Sequence, residues 1–198
     1  DWSKIEGVCF PELDTTTHLI PTYEPDPNDI IIRGFDYGFS APFATVWIAC
    51  KSNKEMVVFK EYVGSIDGTN KGMQLPANEV ARNINDYETG ESLAEIFESE
   101  GLIMHRANND RIYGSQQIHM RLQGEKPTLY ITEDCPLTWK SLQQIQVDKR
   151  NIETYDTHGF DHPVDALRYA VAEMPLEQNY STDEPEVFGD RITNSVDF

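Results

Sequence analysis

Positive charge is scarce in this sequence: 16 Lys and Arg residues face 34 Asp and Glu, a formal net charge of −18 at pH 7. Such a chain repels polyanions, which excludes a diffuse attraction to nucleic acid or to an anionic membrane and leaves only a local basic patch or bound cations as a route to a phosphate backbone. Long apolar runs are missing too. None approaches the roughly 18 residues of a membrane span. The cysteines, Cys9, Cys50 and Cys135, are odd in number and lack the paired spacing of a zinc site or a disulfide framework, which fits a reducing compartment. There is no G-x-x-x-x-G-K-[ST], so no P-loop ATPase is encoded, and there is no internal repeat. Neither an initial Met nor a basic-then-apolar leader stands before Asp1, the pattern of a piece from a longer protein rather than of a secreted precursor. What remains is ordinary globular material, with 39% hydrophobic and 11% aromatic residues over 198 positions.

Residues 1–29, with Pro11, Pro21, Pro25 and Pro27 and no sustained period, read as an extended lead-in. Strands are expected at Ile30 to Asp36, Thr45 to Cys50, and Met56 to Phe59 with Tyr62-Val63. The turns between them are too short for crossover helices, so the three form an antiparallel meander. The period then changes. Helices are expected at Leu75–Ile84, Glu91–Glu100, Asp110–Leu122, Pro136–Ile145 and Asp161–Met174, with short strands at Gly101–Met104 and Leu129–Ile131. This is an α/β sheet carrying helices over residues 30–175. From 176 to 198 six acids stand against Arg191 alone, the composition of a mobile tail.

Asp36 closes an apolar strand just before Gly38, so its carboxylate falls at the rim of the sheet where a tight turn leaves room for a ligand; an Asp that merely opens a turn reads the same way. The last helix opens with Asp161-His162-Pro163-Val164-Asp165-Ala166-Leu167-Arg168-Tyr169-Ala170. Asp161 and Asp165, four apart, share a face, where like charges repel unless a cation or a base lies between them. Asp161 has a competing reading as the helix cap. His162 either reaches the site of Asp165 or stays solvated at the helix start. Asp110 reads as a cap. Over residues 101–150 seven bases, among them Arg106, Arg111 and Lys140, outnumber five acids, which makes this the natural phosphate-facing stretch or simply a solvated face.

Taken together, Gly34-Phe35-Asp36-Tyr37-Gly38, Leu93-Ala94-Glu95-Ile96-Phe97-Glu98 leading to Asn108-Asn109-Asp110-Arg111, and Asp161-His162 through Ala170 resemble the C-terminal nuclease domain of tailed-phage large terminase subunits. The resemblance implies a ribonuclease H-like mixed sheet with helices on both faces. It implies hydrolysis of double-stranded DNA by two divalent ions, Mg²⁺ or Mn²⁺, roughly 3.5–4 Å apart. Asp36 and Asp165 would then be metal-binding carboxylates, Asp161 a further one, and His162 a catalytic neighbour in the same cleft. Arg106, Arg111 and Lys140 are the candidate DNA contacts. The lead-in would join an N-terminal ATPase motor. The implied partners are DNA, the portal and the small terminase subunit, with no membrane, in the cytoplasm of a bacterial host.

The family carries a further acid on a central strand between the helices at 75–84 and 91–100, where this sequence has only Asn85-Asp86-Tyr87-Glu88-Thr89-Gly90. Asp86, Glu88 and Glu91 are the local candidates. Because a first strand without its neighbour would leave buried backbone groups unpaired, a stretch of chain holding a strand and an acid is expected to be missing between Asn83 and Gly90. The rival readings are a non-catalytic adaptor of the same fold docking to portal or small subunit, and an actin-like or sugar-kinase half, which lacks its second phosphate hairpin here.

Overall fold

A computed structural model describes residues 7–85, 104–176 and 194–196. In chain order the elements are α1 (Thr15–His18), β1 (Leu19–Ile20), β2 (Ile30–Asp36), β3 (Ala44–Cys50), β4 (Met56–Val63), α2 (Ala77–Asn85), β5 (Met104–Arg106), α3 (Arg111–Leu122), β6 (Leu129–Thr132), α4 (Pro136–Gln144), α5 (His162–Glu173) and β7 (Asn194–Val196). They form one mixed sheet in the order β1-β6-β4-β3-β2-β7-β5.

The expected meander is present. β2 runs antiparallel to β3 from Ile30 opposite Cys50 to Asp36 opposite Ala44, and β3 pairs antiparallel with β4. The break foreseen in the third strand is a bulge: Trp47 pairs with Lys60 and Ile48 with Val58, so the period of two slips without ending the strand. β3 is buried along its whole length, as a strand covered on both faces must be. Alternate residues Ile32, Val46, Ile48, Met56 and Val58 meet Ile118, Leu142, Val164, Leu167 and Val171 of α3, α4 and α5. On the opposite face Phe35 and Phe43 pack with Val80 and Ala81 of α2.

The lead-in does more than connect. Asp14 accepts from the amides of Thr16 and Thr17 and so caps α1, and β1 adds a parallel edge to β6. Cys9 and Phe10 are buried in the main core, while Glu12 accepts from the His119 ring at 3.0 Å. Apolar side chains spaced too irregularly to show a period still pack when the sheet supplies the surface.

Residues 86–90, the helix expected at Glu91–Glu100 and the start of the strand expected at Gly101 lie outside the described residues, as do Asp86, Glu88 and Glu91. The place beside β2 is nevertheless taken. β7 pairs in parallel with Arg33 to Phe35 on one side and with Met104 to Arg106 on the other. Two expectations are thereby corrected: part of the acidic tail is a strand, and β2 does not lack its neighbour. Asn194 to Val196 pairs with the edge that β2 would otherwise leave open.

One glycine sets the distance between sheet and helix. A Cβ at Gly34 would lie 1.8 Å from the Ala166 carbonyl oxygen, so only glycine lets α5 lie against β2. Gly34→Ala is expected to cost about 1–3 kcal/mol as an overpacking change against backbone. A urea midpoint that does not move would contradict this close approach.

Candidate metal centre

Asp36 is the last residue of β2, and the close approach at Gly34 brings the first turn of α5 over it. The Nδ1 of His162 lies 2.6 Å from Asp36 Oδ2, and its Nε2 lies 3.9 Å from Asp161 Oδ1. One imidazole thus stands between two carboxylates. Asp161 occupies the cap position, but its side chain accepts no cap hydrogen bond; Pro163 follows within the first turn, where the missing N–H needs no partner. The capping reading of Asp161 is therefore set aside, and the buried carboxylate is left directed to the His162 side.

Asp165 is held differently. Its Oδ1 accepts from Tyr155 Oη at 2.5 Å, from Arg168 Nε at 2.9 Å and from Arg168 Nη2 at 2.9 Å, while Arg111 Nη2 stands 3.8 Å from Oδ2. Arg168 is buried, and its stem crosses α3 where Gly114 has no side chain; a Cβ there would lie 2.3 Å from Arg168 Cγ. Asp165 is thus neutralised by a built-in cation, whereas Asp36 and Asp161 are not.

The protonation equilibria follow this arrangement. Burial first, then the charges of Asp165 and Asp36, pushes Asp161 up to about 6, with His162 working against them. Burial also raises Asp36, opposed by the hydrogen bond from His162. For His162 burial favours the neutral ring, but the bond to Asp36 and the surrounding carboxylates outweigh it and raise its pKa. A divalent cation would relieve the repulsion between Asp36 and Asp161, and hard carboxylate oxygens are the donors such an ion takes. The residues fit a cation in chemistry. Among the described residues, however, no three His, Cys, Asp or Glu side chains already converge as a cage.

An acid whose folded pKa is raised binds more protons folded than unfolded, so stability declines as pH climbs from its unfolded value toward its folded one. For Asp161 that window runs from the ordinary 3.8 to about 6. Wild type should therefore lose Tm relative to Asp161→Asn across this interval in chelator, and saturating Mg²⁺ should restore part of the loss. A constant difference between the two proteins over the interval would contradict the burial of this charge.

The sequence reading brought Asp36, Asp161, His162 and Asp165 together; the structure sets Asp36 and Asp161 on either side of His162, while Asp165 is engaged by Tyr155 and Arg168. It missed Tyr155, a lone aromatic in a polar loop with no periodic signal, and it gave Arg168 no role. Of the basic residues named for DNA, Arg111 faces Asp165 and lies over the Tyr155 ring, Lys140 donates to the Gly68 carbonyl at 2.8 Å, and Arg106 is exposed at the end of β5. Among the described residues no helix is long and apolar enough to cross a membrane.

No family model and no curated protein matches the sequence. Solved structures do. The large terminase of the thermophilic bacteriophage D6E superposes with a TM-score of 0.67 at 21% identity over 87% of this chain. The chain spans 46% of that protein's length. The P22 large terminase nuclease domain gives 0.68 at 12% identity, covering 87% of this chain and 94% of that domain. The large terminase nuclease from the thermophilic phage G20c with bound magnesium gives 0.60 at 11% identity over 85% of this chain and 98% of that one, and a cobalt-bound form of it matches as well. At these identities the likeness is one of architecture: this chain has the ribonuclease H-like fold of phage large terminase nuclease domains.

Proposed function

We propose that the chain is the metal-dependent endonuclease domain of a phage DNA-packaging terminase, cutting double-stranded DNA. The observation that carries the reading is the pair of carboxylates, half-buried Asp36 at the C-terminal end of β2 and buried Asp161 at the start of α5, on either side of His162. The magnesium- and cobalt-bound neighbours of the same fold support it. Asp36 and Asp161 would hold the cation, with Asp165 outside the set because Arg168 and Tyr155 already saturate its Oδ1. Bound there, one or two Mg²⁺ or Mn²⁺ ions would supply Lewis-acid activation of the phosphodiester and of water. His162, hydrogen-bonded to Asp36, is placed to hold or accept a proton at the ring nitrogen that faces the cleft. Arg111, whose Nη2 lies 3.8 Å from Asp165 Oδ2, and the exposed Arg106 at the end of β5 are proposed as cations that a phosphate would meet.

By the same reading an ATPase domain belongs to the intact protein, and the portal and small terminase subunit are partners in the cytoplasm of a bacterial host. The proposed nuclease domain is centred on residues 30–175, with the lead-in of residues 1–29 adding β1 to its sheet and the tail of 176–198 adding β7. A second reading, the non-catalytic adaptor, gains from the sheet itself, because Asn194 to Val196 beside β2 carries no acid. Plasmid nicking separates them. The nuclease is expected to relax supercoiled plasmid with Mn²⁺ or Mg²⁺ and to stop in chelator; a folded chain that leaves the plasmid intact at every metal concentration would put the adaptor first.

A further inference from the structure

The rim that continues from Asp36 bears apolar side chains in water. Phe39, Ile66 and Met73 are 49%, 46% and 49% exposed. They lie on two loops, one following β2 and one following β4, that the backbone ties together: the Gly72 amide donates to the Ser40 carbonyl at 3.0 Å, Ile66 to Lys71 at 2.8 Å and Met73 to Gly64 at 2.9 Å. The loops touch so closely that a Cβ on Gly72 would lie 2.6 Å from the Phe39 carbonyl oxygen. The hairpin tip is rigid. Asp67 and Gly68 take φ of 55° and 64°, Thr69 donates its amide to Ile66 at 3.1 Å, and Ser65 Oγ donates to the Thr69 carbonyl at 2.6 Å. Lys140 Nζ fastens the tip to α4 through Gly68 at 2.8 Å, and Lys71 stands exposed on the same hairpin.

We infer that Phe39, Ile66 and Met73 form an apolar wedge that packs into a groove of duplex DNA beside the phosphate presented to Asp36. The inference rests on the nuclease reading above. Phe39 is three residues beyond Asp36, a reach of at most about 10 Å along an extended chain, which keeps the wedge within a few base steps of that phosphate. A chain of net charge −18 has few cations to release counterions from DNA, so contacts that are not ionic would add to what a bound cation and a local basic patch can hold. Phe, Ile and Met side chains are among the types that enter between base steps and open them, and the exposed Lys71 supplies a flanking phosphate contact. A protein seated on this rim would lie across the approach to Asp36, which is why DNA is the occupant favoured.

The test uses the full chain, Ca²⁺ to permit binding without turnover, and a short duplex containing 2-aminopurine. Phe39→Ser combined with Met73→Ser is expected to weaken binding at least tenfold, to abolish the fluorescence rise that reports unstacking, and to leave the slope of log affinity against log salt unchanged. Lys71→Ala is the contrast: it should lower that slope by about 1 with the fluorescence rise intact. An unchanged urea midpoint shows that the serine variants remain folded. Wild type that binds or nicks DNA, while the serine pair binds equally well with the same fluorescence, overturns the wedge and leaves the nuclease standing, with the patch then free for a protein partner. Wild type that neither binds nor nicks the duplex overturns both.

Discussion

Asp36→Asn is expected to lower metal-dependent cleavage by roughly 10³-fold, the equivalent of about 4 kcal/mol of transition-state stabilisation lost with one anionic ligand. Asp161→Asn should do the same. The two changes hardly alter shape, and each removes a charge that burial already opposes, so neither should unfold the protein. Asp161→Asn should raise metal-free stability at neutral pH while removing activity, the reciprocal behaviour of a site held in a strained charge state for function. Asp165→Asn is the informative comparison. Its Oδ1 serves Arg168 and Tyr155, so its removal should act first on stability, and the cleavage rate per folded molecule should fall much less than for Asp36→Asn. The assay is plasmid relaxation under Mn²⁺ saturation, normalised to the folded fraction from circular dichroism. If Asp165→Asn abolishes cleavage in a fully folded protein while Asp161→Asn does not, the division of labour between these two acids is reversed.

The proposed division is not legible in the sequence. Spacing alone puts Asp161 and Asp165 on one face of a helix and makes Asp161 the better cap, which favours Asp165 as a ligand. The deciding facts are long-range. Tyr155 comes from a loop whose course no local period describes, and Arg168 turns inward only because Gly114 on another helix leaves room for its stem. What could be read early was whatever local patterning controls: the apolar run ending in Asp36, the short turns that force a meander, and Pro163 in the first turn of α5. The lead-in and the tail were misjudged for one shared reason. Composition describes a segment in isolation, whereas Phe10 and β7 are ordered by surfaces that other segments create.

The buried pair of Asp165 and Arg168 sets the largest stability effect expected here. Arg168 is 1% exposed, donates twice to Asp165 Oδ1, touches Tyr155 Oη at 3.0 Å, and stacks on Tyr169 with its guanidinium carbon 4.1 Å from the ring centroid. Neighbouring anions keep the guanidinium charged against the cost of burial, and Tyr155 is pushed well above its ordinary pKa by burial and by Asp165. Arg168→Met would leave a buried carboxylate facing only a neutral phenol and the distant Arg111, so a loss of about 3–5 kcal/mol is expected. For a chain of this size that is a fall in Tm of roughly 6–20 °C. Removing both charges should be far milder. In Asp165→Leu combined with Arg168→Met no uncompensated ion remains, and apolar side chains of similar bulk can fill the space between α3 and α5, so most of the loss should be recovered. Urea unfolding of wild type, the two single variants and the double variant closes the cycle. Strictly additive losses would mean that the ion pair is not the coupled unit its geometry describes, and that Arg168 acts through its packing on Gly114 and Tyr169 alone. Recovery in the double variant with plasmid nicking retained would place Asp165 in the scaffold that aims α5, with the cation-holding work left to Asp36 and Asp161 on either side of His162.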